Sequence, residues 1–275
     1  MSIQLNFEDL DSYLLAQKGR IIHQIWFGTI PNKREAKKAY DKMKLYRDSW
    51  ITKNPTWCRM EWNKPYCIAL IKKFYSEYFD LFRRYKFEIQ RCDFARYLIL
   101  HRYGGWYVDM DYYCNRPLDE AMKEYTNDIY FVQSPNSFMQ NDDHISNSLM
   151  YSIPNHSFWK TLLLELQNGK SVPYFYTKHL QVMFTTGPGI LNRIYMKHKY
   201  KFKVKSLPWK YFHPYGIKDD KLLLRSNDKV FAIHIGKGSW ENKDSKVLLF
   251  LARHWAIVLF IILVPLLANF VFSRI

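Results

Sequence analysis

Apolar strand-like segments alternate with helical segments over residues 21–111, and this alternation limits the possible folds more than any other feature of the chain. The segment IIHQIWFG at 21–28 is almost continuously apolar, which is typical of a strand buried on both faces of a parallel sheet. The alternation predicts an α/β fold with a doubly wound sheet. The predicted elements are a polar helical lead-in at 1–20, strands at 21–28, 57–62 and 106–111, and helices at 34–50, 66–85 and 86–103.

Two carboxylates, Asp109 and Asp111, lie at the end of the strand that follows Gly104-Gly105. The two-residue period of a strand places both on one face together with Tyr107, opposite the apolar side chains. Adjacent carboxylates repel each other unless a cation lies beside them, and their oxygens suit a hard divalent ion that also holds a diphosphate. A second D-x-D pair, at 9–11, lies in the polar lead-in, where a solvated helix start explains it. Because ligands of α/β sheets bind at the carboxyl ends of strands, we predict a divalent metal site at Asp109 and Asp111.

The helix before this strand carries Asp93 and Arg96, three residues apart and therefore on one face. Taken alone, the pair is interpreted as a surface ion pair that stabilises the helix by about 0.3–0.5 kcal/mol. Its position directly before Gly104-Gly105 and the two carboxylates favours a functional interpretation instead.

The chain is basic and ends in an apolar segment. Its 41 Lys and Arg outnumber its 25 Asp and Glu, which gives a net charge of +16. Such a charge suits nucleic acid or an anionic membrane surface, but the cations are spread along the chain without a groove-binding motif.

The uncharged segment 256–272 would form a helix about 26 Å long, close to the thickness of the hydrocarbon core of about 30 Å. We predict a transmembrane helix there, with a buried core helix as the alternative. The N-terminus lacks the continuous apolar stretch of a signal peptide.

The run from Asp93 to Asp111 closely resembles the sugar-donor segment of glycosyltransferase family 32, whose members share the pattern D-x-x-R-Y-x-x-L-x-x-x-G-G-x-Y-x-D-x-D. Further segments resemble the family in the same order along the chain. They are IIHQIWFG at 21–28, Asn54-Pro55 with Trp62, the segment 146–156, Thr186-Gly187-Pro188 and the stretch from His234 to Trp240. The resemblance implies a GT-A-type fold, which is a Rossmann-like mixed sheet flanked by helices, in a catalytic domain at 21–245 that is followed by the transmembrane helix.

The resemblance also assigns contacts to the sugar-nucleotide donor. Trp26 is expected to stack on the nucleobase, and a stacked base contributes about 1–3 kcal/mol. Asp93 would accept hydrogen bonds from ribose or sugar hydroxyls, and Arg96 would contact the donor sugar or its phosphate. Tyr107 would donate to a phosphate, and Asn147 would touch the donor sugar.

A metal site and a lid complete the implied active site. Asp109 would bind sugar or ribose hydroxyls and help to hold the metal, while Asp111 would ligate it directly. His234 would be the third ligand, which suits Mn²⁺ better than Mg²⁺. Ser239 and Trp240 would close over the diphosphate and exclude water. The chain departs from the family in having an isoleucine directly after His234, where a second histidine is common.

The resemblance therefore implies a metal-dependent, retaining glycosyltransferase with Asp109, Asp111 and Arg96 as its catalytic residues. The layout is most like that of the fungal inositol phosphoceramide mannosyltransferases, which implies transfer of mannose from GDP-mannose to a membrane-associated glycolipid or glycan. It also implies a single-pass Golgi or ER protein, with the side of the membrane left open and no nucleic acid as partner. The alternatives are a membrane-tethered basic nucleic-acid-binding module and an inactive sugar-binding protein.

Overall fold

The computed structural model describes residues 6–28, 32–134, 144–169, 172–173, 175–214 and 223–236. The strands in these ranges are β1 (Ile21–Ile25), β2 (Cys58–Trp62), β3 (Gly105–Val108), β4 (Tyr112–Cys114), β5 (Ile129–Gln133), β6 (Ile145–Ser152), β7 (Lys205–Leu207) and β8 (Ala232–His234). The helices are α1 (Phe7–Ala16), α2 (Lys33–Lys42), α3 (Lys44–Lys53), α4 (Lys64–Phe74), α5 (Phe79–Arg84), α6 (Glu88–Tyr103), α7 (Leu118–Glu124), α8 (Ser157–Gln167), α9 (Lys178–Thr185), α10 (Pro188–His198) and α11 (Trp209–Phe212).

Six of the strands form one mixed sheet in the order β2-β1-β3-β6-β5-β7. Strand β1 pairs in parallel with β2 and β3, and β5 pairs in parallel with β7, whereas β6 runs antiparallel to both β3 and β5. The remaining two strands, β4 and β8, form a separate antiparallel ribbon. The predicted α/β architecture with a mixed sheet is confirmed.

Two apolar cores cover the two faces of the sheet. Successive side chains of β1 alternate between them, since Ile21 and Ile25 pack into the first core and Ile22 packs into the second. Helices α1, α4, α6, α8 and α10 supply the first core, whereas α3, α7, α11 and the β4–β8 ribbon supply the second. The sheet is therefore held between helical layers, and its strand ends are left at the rim.

Two predicted helices are each interrupted in the structure. The helix predicted at 34–50 is two helices, α2 and α3, separated at Met43. Helix α3 buries side chains, Trp50 among them, whereas α2 buries none. No buried side chain of α2 therefore holds it in line with α3 as one continuous helix. The helix predicted at 66–85 is broken at Tyr75, whose φ of −144° and ψ of 38° are not helical, and a 3₁₀ turn at Ser76–Tyr78 leads into α5.

The strand predicted at 106–111 ends three residues early, and this correction concerns the candidate site. The last bond from this strand to β6 is donated by the backbone N–H of Asp109 to the carbonyl oxygen of Ser148, at 2.9 Å. A turn follows, closed by the N–H of Tyr112 on the carbonyl oxygen of Asp109 at 3.2 Å. The chain then pairs with β8 instead of β6. Asp111 therefore lies in a turn and not on a strand face.

Within the described ranges, the structure contains no helix long and apolar enough to cross a membrane. The segment 256–272 and the lid residues Ser239 and Trp240 lie outside the described residues. The predicted transmembrane helix and lid stay predictions.

Candidate active site

Asp109 lies where β3 leaves the central sheet, and its side chain is held from two sides. Its Oδ1 accepts a hydrogen bond from Nη1 of Arg96 at 3.1 Å and another from the hydroxyl of Tyr107 at 2.8 Å. The guanidinium of Arg96 also lies over the ring of Tyr107, 4.5 Å from its centroid. These contacts leave the other carboxylate oxygen of Asp109, whose side chain is 30% exposed, available to a ligand.

Asp93 and Arg96 form a buried ion pair, with Nη2 of Arg96 3.0 Å from Oδ1 of Asp93 and both side chains 4% exposed. The interpretation as a surface ion pair is therefore wrong, because the helix packs this face into the first core. Asp93 also accepts hydrogen bonds from the side chains of Asn147, at 2.9 Å, and Thr186, at 3.2 Å. Nη1 of Arg96 donates to the backbone carbonyl of Asn147 at 2.8 Å. Strand β6 and the N-terminal end of α10 are thereby tied to α6.

Burial sets the ionisation of this group of carboxyls. It raises the pKa of Asp93 to about 6, against the lowering effect of Arg96 beside it. Burial also raises the pKa of Asp109; Arg96 opposes this shift, and the negative charge of Asp111 adds to it. A cation bound beside Asp109 would favour its ionised form.

Asp111 contacts a residue more than a hundred positions away in the chain. The β4–β8 ribbon places His234 opposite Tyr112, and Nε2 of His234 lies 3.0 Å from Oδ1 of Asp111. The imidazole stacks on the Tyr112 ring, with the ring centroids 4.4 Å apart and the planes 9° from parallel. The backbone N–H of Ile235 donates to the carbonyl of Asp111 at 3.0 Å. The ribbon is therefore the element that joins the two predicted metal-binding segments.

Asp109, Asp111 and His234 together fit a divalent cation. One potential ligand atom from each lies within 4.8 Å of the other two, and all three side chains are partly buried. Two carboxylates and one imidazole leave further coordination positions for the oxygens of a diphosphate. The mixed oxygen and nitrogen ligands suit Mn²⁺ and accept Mg²⁺ less readily.

The other predicted donor-binding residues lie near the same rim or within the buried network. Trp26 follows β1, is partly exposed, and packs against Tyr40 with ring centroids 5.7 Å apart. Because β1 and β3 are parallel neighbours, Trp26 and Asp109 follow strand ends on the same edge of the sheet. Asn147 is 5% exposed and its amide is already bonded to Asp93. The predicted donor contacts of these residues and of Arg96 stay predictions.

Two residues of the site were not assigned a role from sequence. Thr186 lies in the Thr-Gly-Pro motif, and its hydroxyl donates to Asp93. His213 lies 2.8 Å from His234 through its Nε2, and no motif surrounds it. The motif was a usable signal for Thr186, whereas only the tertiary fold identifies His213.

Known proteins resemble this chain in the region of the site. The family profile described as the glycosyltransferase sugar-binding region containing the DXD motif matches residues 40–128, which include Asp93, Arg96, Asp109 and Asp111. Inositol phosphoceramide mannosyltransferase 2 of Schizosaccharomyces pombe is 29% identical over 243 residues, covering 87% of this chain and 63% of that protein. A mannosyl phosphorylinositol ceramide synthase of Saccharomyces cerevisiae is 30% identical over 153 residues, covering 56% of this chain and 38% of that protein. Among solved structures, the PaToxG glycosyltransferase aligns with a TM-score of 0.41 at 16% identity, covering 70% of this chain and 76% of the other.

The matched part of this chain spans 63% of the length of the S. pombe protein and 38% of the S. cerevisiae protein. The region matched by the family profile includes the buried Asp93–Arg96 pair and the two carboxylates after β3. The family match and the two sequence relatives confirm the resemblance predicted from the motifs: residues 40–128 are similar to the sugar-binding region of DXD-containing glycosyltransferases, and most of the chain is similar to an inositol phosphoceramide mannosyltransferase.

Proposed function

We propose that this protein is a metal-dependent glycosyltransferase of the GT-A type that moves mannose from GDP-mannose to a membrane-associated glycolipid. The observation that carries the proposal is the convergence of Asp109, Asp111 and His234, whose ligand atoms lie within 4.8 Å of one another at the rim of the sheet. The relatives named for mannosyl transfer to phosphorylinositol ceramide support the choice of sugar and acceptor.

Asp109, Asp111 and His234 would hold Mn²⁺ or Mg²⁺. When bound, the cation would neutralise the diphosphate and stabilise the charge that develops on the departing nucleotide. The protein would contribute a positioned set of ligands. Arg96 and Tyr107 orient Asp109, and the stacked ring of Tyr112 orients His234.

Donor binding would use the same rim. Trp26 is partly exposed after β1 and offers an aromatic face to the nucleobase. Asp93, held by Arg96, Asn147 and Thr186, would accept hydrogen bonds from the donor sugar. Ser239 and Trp240 would cover the diphosphate, which matters because hydrolysis of the donor competes with transfer.

The family resemblance implies that the anomeric configuration of the sugar is retained. Retention limits the mechanism to a double displacement or to attack on a single face of the sugar. A double displacement needs a carboxylate at the anomeric carbon. The carboxylates of the site have other partners, since Asp93 and Asp109 bind Arg96 and Asp111 contacts His234. We favour a mechanism in which the acceptor hydroxyl attacks the anomeric carbon from the face that the nucleotide leaves. The leaving phosphate then accepts the proton of this hydroxyl.

A donor screen tests this function. The protein in detergent would be incubated with inositol phosphoceramide and, in separate reactions, with GDP-mannose, UDP-glucose, UDP-galactose or UDP-N-acetylglucosamine, each with Mn²⁺, with Mg²⁺ or with excess chelator. We expect GDP to be released from GDP-mannose only when a metal is present, fastest with Mn²⁺, and inositol phosphoceramide to become mannosylated. Turnover of GDP-mannose that is equal in excess chelator would exclude the metal-dependent mechanism, and exclusive use of a UDP-sugar would exclude the mannosyl assignment.

A further inference from the structure

His213 lies behind His234, on the side away from Asp111. It follows α11 directly, and only 7% of its surface is exposed. Its Nε2 is 2.8 Å from Nδ1 of His234, and the two rings meet edge to face with centroids 4.6 Å apart. The two nitrogens of His234 therefore face different groups, Asp111 through Nε2 and His213 through Nδ1.

This arrangement restricts the tautomers of the two histidines. A neutral imidazole that binds a metal through Nε2 carries its proton on Nδ1. That proton needs an acceptor, and the Nε2 lone pair of His213 lies at hydrogen-bond distance. His213 then carries its own proton on Nδ1. The pair is consistent with metal binding by His234 only when the Nε2 atom of His213 accepts.

The ring of His234 is also fixed in orientation by two different contacts. Stacking on Tyr112 fixes the plane of the ring. Stacking does not distinguish the two orientations related by a half-turn about the Cβ–Cγ bond, one of which directs Nδ1 away from His213. The hydrogen bond to His213 selects the orientation in which Nε2 faces Asp111.

His213 is itself held in place by α11. Its backbone N–H donates to the carbonyl of Trp209 at 2.8 Å. The N–H of Phe231, which precedes β8, donates to the carbonyl of Tyr211 at 2.8 Å, and the ring of Phe231 stacks on that of Phe212. Helix α11 and strand β8 are therefore joined by a backbone hydrogen bond and by ring packing, which hold the two imidazoles next to each other.

We propose that His213 is a positioning residue of the metal site, which accepts the Nδ1–H hydrogen bond of His234 and thereby directs Nε2 of His234 to the cation. The inference rests on the proposed metal-dependent function and adds to it a residue outside the motifs identified in this sequence. Hydrogen-bond acceptors behind a histidine ligand orient the ring, and their loss weakens metal affinity by about 10- to 100-fold.

Two amide variants of His213 test the role of the acceptor. In His213→Gln the side-chain oxygen reaches the position of the histidine Nε2, whereas in His213→Asn it stops at the position of Nδ1 and falls short of His234. Mn²⁺ affinity of the full-length protein in detergent would be measured by EPR of the free ion. We expect His213→Asn to bind Mn²⁺ about 10- to 100-fold more weakly and His213→Gln to bind it almost as tightly as the parent protein.

The nitrogen coupling of bound Mn²⁺, measured by pulsed EPR, gives a second readout that a merely structural role would not change. It should persist in His213→Gln and diminish in His213→Asn. His101→Leu is the matched control: His101 is also buried and hydrogen-bonded, to the hydroxyl of Tyr75 at 2.7 Å, near the C-terminal end of α6. This variant should lose thermal stability and keep its Mn²⁺ affinity.

Equal Mn²⁺ affinity in the Asn and Gln variants would overturn the role of His213, whether both bind as the parent protein does or both bind weakly. That result would leave the metal site itself intact, because the parent protein still binds Mn²⁺. Failure of the parent protein to bind Mn²⁺ at all would overturn the metal-dependent function and this inference together.

Discussion

Asp109 and Asp111 are separated by one residue, yet their surroundings give them different tasks. Asp109 is bonded to Arg96 and Tyr107, so it is part of the buried network of the first core. Asp111 belongs to the turn into β4 and contacts His234, so it is tied to the ribbon. A substitution at Asp109 is expected to disturb α6 as well as the ligand site, whereas a substitution at Asp111 tests the ligand site alone.

We predict that Asp111→Asn lowers the transfer rate at saturating donor by about 10²–10³, because one electrostatic partner of the transition state is lost. The fold should persist, since the amide removes the repulsion with Asp109. Initial rates and circular dichroism check the two parts. Asp9→Asn is the matched control and should leave the rate unchanged, because Asp9 is the exposed member of the second D-x-D pair, whose other carboxylate, Asp11, is buried and bonded to Arg102. Full activity of Asp111→Asn would disprove the metal role of Asp111.

The burial of His23 leads to a prediction of how the free energy of unfolding depends on pH. Burial lowers its pKa to about 3, because the ring is fully enclosed between Trp62, which donates to Nδ1, and the carbonyl of Gly104, which accepts from Nε2. The unfolded chain binds a proton at His23 below about pH 6.5 and the folded protein does not. The free energy of unfolding therefore decreases as the pH falls from about 6.5 to about 3, by about 1.4 kcal/mol per pH unit.

His23→Gln should abolish this share of the pH dependence, because the amide keeps a donor for Gly104 and does not titrate. Between pH 7 and pH 5 the parent protein should lose about 2 kcal/mol more of its free energy of unfolding than the variant does. Urea unfolding at the two pH values measures the difference. Parallel losses in both proteins would show that His23 is not the group responsible.

At the scale of the element, the join between α6 and β3 depends on two glycines. Gly104 and Gly105 have φ values of +65° and +86°, which lie in the region that favours glycine. A Cβ on Gly105 would overlap the carbonyl oxygen of Ile21, since β3 lies directly beside β1 there. The close approach lets β3 pair with β1 and brings Asp109 to the same edge of the sheet as Trp26.

We predict that Gly105→Ala destabilises the protein by clearly more than Gly19→Ala. Gly19 has a similar φ of +79°, but the nearest atoms to its Cβ position are 3.8 Å away, so only backbone strain of about 1–2 kcal/mol is expected there. Gly105→Ala adds the overlap with Ile21 and forces β1 and β3 apart. Urea unfolding of the two variants measures the comparison. Equal losses would mean that the strand pair tolerates a methyl group.

At the scale of the whole molecule, the net charge of +16 and the apolar segment at 256–272 are the basis for our prediction that the protein is attached to a membrane. Charge attraction acts over about a Debye length, roughly 10 Å at 0.1 M salt, and is removed by high salt. An inserted helix resists salt because its apolar side chains have left water. The two kinds of attachment are therefore separable by extraction.

We predict that the full-length protein stays with the membrane pellet after extraction with high salt, and that a variant ending at Ser245 moves to the supernatant. The shortened protein should still release GDP from GDP-mannose in the presence of Mn²⁺. Pelleting and GDP release are both measured on the same fractions. A shortened protein that stays in the pellet or unfolds would identify the segment as part of the core instead of an anchor.

The sequence by itself determined the α/β alternation of residues 21–111 and the candidate residues of the site. Alternating apolar strands and helices, a local property of the chain, predicted the α/β fold and the strand starts at Ile21 and near Cys58. The spacing of Asp93 and Arg96 predicted that these two side chains lie on one helix face, and the spacing of Asp109 and Asp111 predicted two carboxylates side by side at the end of a strand. The structure confirms that Arg96 lies beside Asp93 and shows in addition that Arg96 contacts Asp109.

Only the tertiary structure decided the breaks at Met43 and Tyr75, the end of β3 at Val108, and the burial of the Asp93–Arg96 pair. Each depends on which neighbour an element packs against, and local patterns do not contain that information. The clearest case is His213, which contacts His234 because α11 packs on β8. The family resemblance implied that His234 lies near Asp111, and the structure shows how: β8 pairs with β4 across more than a hundred residues of chain. Such contacts form from the burial of the second core as a whole, so no residue spacing predicts them.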